Sequence, residues 1–279
     1  MNNILFRIFE LTRQSQIILG CGGALLASET YRLLYSQILP LKIVLFLFFS
    51  IISAYTFLGI KISTSQQKLF VEVPKSSLLK ILIAWLSIGA TMSLFFVQEK
   101  KVQSVAALLL IFTLAYMTPF YLNKRKIKGV RDVFILKSSW LAFVWSVATV
   151  IIPVVHLKGF DFGKTELIFF VQRFLFIMAI ALAFNIRDYN YDLQKHMKTI
   201  ATVAGVNKTK IIATTLLGVS FLILVFFSEE NLLAAFAIAI FYTVILVMLA
   251  KPSAKNFFYV VLMDGVLLVQ GLLLVLLSR

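Results

Sequence analysis

Two aspartates, Asp188 and Asp192, stand four residues apart where a long apolar run gives way to the segment Asn185-Ile186-Arg187-Asp188-Tyr189-Asn190-Tyr191-Asp192-Leu193-Gln194-Lys195-His196-Met197-Lys198-Thr199. Continued as helix, Asn185, Asp188, Asp192 and Lys195 are spaced three, four and three, so all four fall on one face. Two carboxylates and an amide on one face can hold a divalent cation such as Mg²⁺ through hard oxygen ligands. Arg187, Lys195 and Lys198 could hold the phosphate oxygens that complete the metal shell. A solvated, salt-bridged helix end is the bland alternative. Against it stand the scarcity of acid, 12 Asp and Glu in 279 residues, and the position of the pair directly after an apolar helix.

The elements that must position this segment are membrane helices. The chain is 61% hydrophobic and 14% charged, with mean hydropathy +0.96; a soluble domain carries roughly 45–50% apolar and about 25% charged residues. The excess runs along the whole length, which only a bilayer solvent accommodates. Nine stretches are long and apolar enough to cross about 30 Å of hydrocarbon: 16–35, 38–60, 78–97, 103–121, 134–156, 165–185, 209–227, 231–250 and 256–277. The expected fold is all-α, a polytopic bundle of about nine transmembrane helices forming one transmembrane domain over 1–279, with no repeat, soluble domain or low-complexity linker.

The formal charge of +15 suits an anionic partner. Its distribution excludes nucleic acid, because the basic residues sit in short loops between apolar runs, where they set orientation and meet lipid headgroups. Alternating the nine spans puts eighteen lysines and arginines on one side and seven on the other. The basic-rich side is cytoplasmic by the positive-inside rule, so the N-terminus is expected inside and the C-terminus outside, in an inner (cytoplasmic) membrane. No cleavable leader is expected. The single cysteine, Cys21, lies in the first span and reads as a packing residue.

The stretch Arg187-Asp188-x-x-x-Asp192-x(5)-Lys198-Thr199-x(5)-Gly205 resembles the second aspartate motif of the UbiA superfamily of intramembrane prenyltransferases, with Asn185 where that family has a further aspartate. Tyr116-Met117-Thr118-Pro119-Phe120-Tyr121-Leu122-Asn123-Lys124-Arg125 is similar to the family's Tyr-x-x-x-Lys-Arg region at looser spacing. The resemblance covers nearly the whole chain. It implies a UbiA-like bundle with a cavity open to cytoplasm and membrane, and transfer of an isoprenoid chain from a diphosphate to a small aromatic or lipid acceptor. Asp188 and Asp192 would be the catalytic, Mg²⁺-holding pair. Asn185, Arg187, Lys195, Lys198, Tyr116, Lys124 and Arg125 would bind substrate. The family's first motif, Asn-Asp-x-x-Asp-x-x-x-Asp, has no counterpart: residues 54–68 contain no carboxylate, and no aspartate precedes Asp132. A second function therefore stands beside the transferase, a non-catalytic protein of the same fold that binds lipid or isoprenoid or scaffolds a membrane complex.

Several charged residues within spans are costly there and are usually paired or functional. Glu29 and Arg173 are expected to pair in the outer half. Asp264, about 10–12 Å from the inner face by helix rise, either faces the cavity beneath Asp188 or accepts a hydrogen bond from a neighbouring helix. Lys137 is expected to reach toward headgroups rather than the phosphate site. His196 reads as an exposed loop residue, and Gly218 as a point of close helix packing.

Overall fold

The computed structural model describes residues 12, 15–66, 75–117, 120–122, 125–127, 136–227, 230–254 and 256–277. In chain order these form α1 (Ile17–Tyr35), α2 (Leu41–Gln66), α3 (Lys75–Val97), α4 (Lys100–Met117), a short antiparallel pair β1 (Phe120–Leu122) and β2 (Arg125–Ile127), α5 (Leu136–Ser146) and α6 (Ile152–Lys158). They continue with α7 (Lys164–Arg187), α8 (Tyr189–Gln194), α9 (Ile200–Ala204), α10 (Val206–Phe227), α11 (Glu230–Leu249) and α12 (Asp264–Leu277). The protein is an integral membrane protein. Among the described residues seven helical stretches are long and apolar enough to cross a bilayer: Ile17–Tyr35, Leu78–Val97, Leu136–Lys158, Lys164–Arg187, Val206–Phe226, Leu232–Leu249 and Phe258–Leu277. The two remaining expected spans coincide with α2 and α4. α4 ends at Met117, short of the expected 121, and β1 begins at Phe120.

Large side chains such as Trp85, Phe96, Phe226 and Phe241 face outward, the inverse of a water-soluble surface and the arrangement lipid contact requires. The interior is organised around α7. Phe176, Ala179, Leu182, Ala183 and Ile186 are closed off from any solvent, between α5 on one flank and α10 on the other. α1 and α12 pack backbone to backbone: a Cβ added at Gly271 would lie 2.7 Å from the Leu25 Cβ and 2.9 Å from its carbonyl carbon. Gly218 has no such role. It is exposed, with nothing within 4 Å of where a Cβ would stand, so the close packing expected there is found instead at Gly22, Gly23 and Gly271.

Two spans are interrupted by π-helical stretches. Between α5 and α6 the turn Val147–Ile151 widens, and the Ile152 N–H donates to the Val147 carbonyl five residues back. Pro153 follows, which lacks an N–H and crowds the carbonyl four residues before it, so a wider turn relieves that conflict. Phe258–Met263 is also π-helical and leads directly into Asp264.

Contacts between helix ends sort the loops into two sets. Lys210 near the start of α10 donates to the Met248 carbonyl near the end of α11, 2.7 Å away, and Lys137 at the start of α5 meets Asp188 at the end of α7. At the opposite end Lys158 after α6 pairs with Glu166 of α7, and Glu99 before α4 pairs with Lys42 of α2 and His156 of α6.

Candidate functional site

α7 delivers Asn185, Arg187 and Asp188, and α8 delivers Asp192. The join is nearly helical: Asp188 caps α7, and the Asp192 N–H donates to the Asp188 carbonyl at 2.8 Å. The two carboxylates consequently stay one turn apart and meet the same partner, Lys137 of α5. Its Nζ donates to Asp192 Oδ2 at 3.0 Å and Oδ1 at 3.3 Å, and to Asp188 Oδ2 at 3.5 Å. Asp192 is buried and Lys137 nearly so, while Asp188 is half-buried. The lysine therefore does not reach for headgroups; a lone ammonium near the bilayer interface lowers its energy most by meeting two carboxylates already held there.

Asn185 is buried and its amide donates to Ser138 Oγ at 2.8 Å, fixing α7 against α5 one residue beyond Lys137. Arg187 donates from Nε to Asp188 Oδ1 at 2.8 Å, with its guanidinium carbon 4.7 Å from the Phe184 ring centroid and 5.7 Å from that of Tyr259. Guanidinium over an aromatic face is a favourable cation–π arrangement. The Tyr259 hydroxyl donates to the Lys251 carbonyl at 2.9 Å, tying the start of the last span to the same end of the molecule.

Lys195 and Lys198 do not join the cluster. Both are exposed, because the chain leaves helical geometry after Lys195, His196 adopts φ 53, and the Met197 N–H returns to the Asp192 carbonyl. His196 is likewise exposed. Thr199 is structural: it caps α9 through a reciprocal pair of bonds with Thr202, a capping box that satisfies backbone donors at the helix start. Gly205 follows at φ 86, a conformation costly for a side chain bearing a Cβ, and lets α9 turn into α10. Tyr116, near the end of α4, is half-buried and in electrostatic range of Tyr55. Lys124 lies outside the described residues, and of Arg125 only the backbone, in β2, is described.

Sequence reading sent Lys137 to the headgroups, whereas it meets carboxylates 51 and 55 residues further along the chain. It also missed Tyr55 and Trp145, whose indole N–H donates to the Tyr55 hydroxyl at 2.9 Å.

Mg²⁺ asks for near-octahedral oxygen coordination, met in proteins by carboxylates, waters and substrate phosphates. The point shared by Asp188 and Asp192 is taken by the Lys137 ammonium. Among the described residues no group of three or more His, Cys, Asp or Glu side chains is arranged to hold a metal. In the described residues the oxygens that would face such an ion, those of Asp188 and Asp192, meet the Lys137 ammonium instead.

Deeper in the membrane, Glu29 and Arg173 pair as expected, at 2.9 Å and both fully buried. Gln270 of α12 adds a donor to the same Glu29 oxygen at 3.3 Å, and Arg173 also donates to Thr30 Oγ1 at 3.3 Å. This network joins α1, α7 and α12 and includes none of the inner-end groups. Two open surface hollows, of about 500 Å³ beside Phe221, Ile240 and Val244 and about 250 Å³ beside Leu167 and Ile223, are lined by apolar side chains and contain no site residue.

Compared with family models, with curated proteins and with solved structures, the chain matches none.

Proposed function

We propose that this chain is a nine-span, UbiA-like protein of the inner membrane, N-terminus cytoplasmic and C-terminus outside, that binds an isoprenoid diphosphate at the cluster of Lys137, Asn185, Arg187, Asp188 and Asp192. The observation that carries this reading is the closure of Lys137 on both aspartates. Four charged groups drawn from two membrane helices and the turn beyond them form a part-buried cluster at the edge of the bilayer. Such clusters are expensive, and they mark substrate and ion sites more often than scaffolding. Lys137 and Arg187 supply cations that an anionic head can recruit in exchange for the carboxylates. Aromatic rings at Phe184 and Tyr259 flank the site where an isoprenoid chain would enter.

With the cation seat taken by an ammonium and no first carboxylate cluster, the favoured reading is a binding protein that has no metal-held leaving group. A prenyltransferase using Mg²⁺ is the second reading. It is favoured by the convergence of the Asp188 and Asp192 oxygens within 3.5 Å of one cation, a geometry that a diphosphate-borne Mg²⁺ could share. That transferase would pass the isoprenoid to a lipid-soluble acceptor.

One titration separates them. Purified protein in nanodiscs is titrated with a farnesyl thiolodiphosphate, which resists ionisation, with and without about 5 mM Mg²⁺. The binding protein takes it equally in both and loses at least about tenfold in affinity on Lys137→Met or Arg187→Met. A transferase binds only with Mg²⁺ and loses binding in Asp188→Ala with Asp192→Ala. No binding in either buffer removes both.

A further inference from the structure

We infer that the slot between α10 and α11 binds one anionic glycerophospholipid, with its phosphate head on Lys210 and Lys251 and an acyl chain laid against Phe221, Phe241 and Val244. This goes beyond contact with the bilayer at large and does not depend on how the aspartate cluster is used. The facing residues of the two helices follow one antiparallel register. On α11, Ala237, Phe241, Val244 and Met248 are spaced four, three and four, one stripe of a helix; on α10, Lys210, Thr214 and Phe221 are spaced four and seven, another. At one end of these stripes Lys210 donates to the Met248 carbonyl at 2.7 Å. Further along, Phe221 and Ala237 line the hollow of about 500 Å³ together with Phe241 and Val244.

The slot has the depth of one leaflet. Phe221 lies eleven residues along α10 from Lys210, and Ala237 eleven residues before Met248 on α11, about 16 Å in each case by helix rise. Half of a hydrocarbon core of about 30 Å is about 15 Å, the length that an acyl chain has to cover. The hollow is lined by apolar side chains. On the stripe of α10 between the lysine and Phe221, the Thr214 hydroxyl donates back to the Lys210 carbonyl at 3.0 Å, so its hydrogen bond stays within its own helix.

Charge at the mouth of the slot separates it from ordinary lipid contact. An ammonium has three N–H donors. Among the described residues Lys210 uses one, on Met248, which holds the cation over the end of the slot and leaves two for a phosphate. Lys251 comes three residues after Met248, so the two Cα atoms lie within about 11 Å by chain reach. The Tyr259 hydroxyl, bonded to the Lys251 carbonyl at 2.9 Å, pins the turn that carries this exposed lysine. No Asp or Glu lies between Asp192 and Glu229, or between Glu230 and Asp264. No carboxylate on α10, or on α11 short of its far end, is therefore there to answer the two lysines. An anionic head at the membrane surface supplies the missing charge. A second copy of the chain does not, because a twofold contact through this face brings like lysines together.

The test presents the full chain, delipidated in detergent, with equimolar dioleoyl phosphatidylglycerol and chain-deuterated dioleoyl phosphatidylcholine. Native mass spectrometry reads which lipid forms the first adduct. Phosphatidylglycerol is expected to be favoured at least about tenfold, one basic residue at an anionic surface being worth about fivefold. Lys210→Gln with Lys251→Gln should bring the preference below about threefold, whereas Lys195→Gln, exposed at the same end but off the slot, should leave it unchanged. Ala237→Trp, which fills the slot with both lysines intact, should weaken phosphatidylglycerol binding at least about fivefold. Four results each overturn the site: no preference in the parent protein, which is ordinary annular lipid; a preference that survives the double lysine change or falls as far in Lys195→Gln; unaltered binding in Ala237→Trp; or a protein dimer in place of the lipid adduct. Should the double lysine variant fail to fold, Lys251→Gln alone decides, with the preference expected to fall at least about threefold. Binding of the thiolodiphosphate is read in discs of phosphatidylcholine alone, so its failure and the failure of this site are distinguishable.

Discussion

Lys137 is the residue on which the inner-end cluster turns, because it reaches three carboxylate oxygens within 3.5 Å. Removing one partner of a buried ion pair leaves the other charge uncompensated, which costs about 3–5 kcal/mol, whereas an exposed lysine is worth little. Lys137→Met is therefore expected to lower stability by about 3 kcal/mol, read as a drop in the melting temperature of the detergent-solubilised protein. Lys195→Met should change it by less than about 0.5 kcal/mol. Adding Asp192→Asn to Lys137→Met should recover part of the loss; equal melting temperatures for the two single variants would show that the ion pair contributes nothing. Asp188, Asp192 and Asn185 were readable in the sequence because local spacing alone puts them on one face. Lys137 was not, since nothing local indicates which of several lysines near span ends will find a carboxylate. That Lys195 and Lys198 stand exposed, apart from the cluster, has the converse reason: a helix drawn on through residue 195 cannot foresee that the chain turns back at His196.

At the scale of elements, the contact of α1 with α12 is fixed by absent side chains. At Gly271 the nearest atoms to an added Cβ include the Leu25 carbonyl carbon at 2.9 Å and the Leu26 nitrogen at 3.1 Å, backbone atoms that cannot swing aside. Gly271→Ala should push the two helices apart and cost about 1–3 kcal/mol. It should also loosen the Glu29–Gln270 bond one residue away. Gly218→Ala, on a lipid-facing surface with open space, should be neutral or stabilising by up to about 1 kcal/mol through better helix propensity. Thermal unfolding of the two variants side by side gives the answer, and a Gly271→Ala protein as stable as Gly218→Ala would refute tight packing at this crossing. Hydropathy located the long helices well, because a span is an excess of apolar residues that any window detects. It could not distinguish a glycine facing lipid from one facing a neighbour, nor find the π-helical stretches, since both depend on what stands opposite.

For the whole molecule, the pairings of helix ends make two faces of the bundle without reference to any membrane. Lys137, Asp188, Lys210 and Met248 share one end, and Lys42, Glu99, His156, Lys158 and Glu166 share the other. For the helix ends that these residues mark, contact geometry groups the loops as the alternation does, while the termini and the direction of insertion rest on the span count and the positive-inside rule. Only one native thiol, Cys21, has to be removed before single cysteines can report the sidedness. In a Cys21→Ser background, a membrane-impermeant maleimide applied to intact cells should label Lys164→Cys and Ser278→Cys. It should reach Asn2→Cys, Lys195→Cys and Lys251→Cys only after lysis. The pair Lys164 and Lys195 brackets α7, so opposite labelling is required of any crossing helix and serves as the internal control. Asn2 and Ser278 carry the weight: an odd number of crossings separates them, and an even number brings them to the same side. Labelling of both in intact cells, or of neither, would therefore overturn nine spans even with α7 correctly inserted. Labelling of Asn2→Cys, Lys195→Cys and Lys251→Cys, with Lys164→Cys and Ser278→Cys silent, would leave the bundle intact and turn it over, moving the aspartate cluster to the outer face, where no cytosolic isoprenoid diphosphate could reach it.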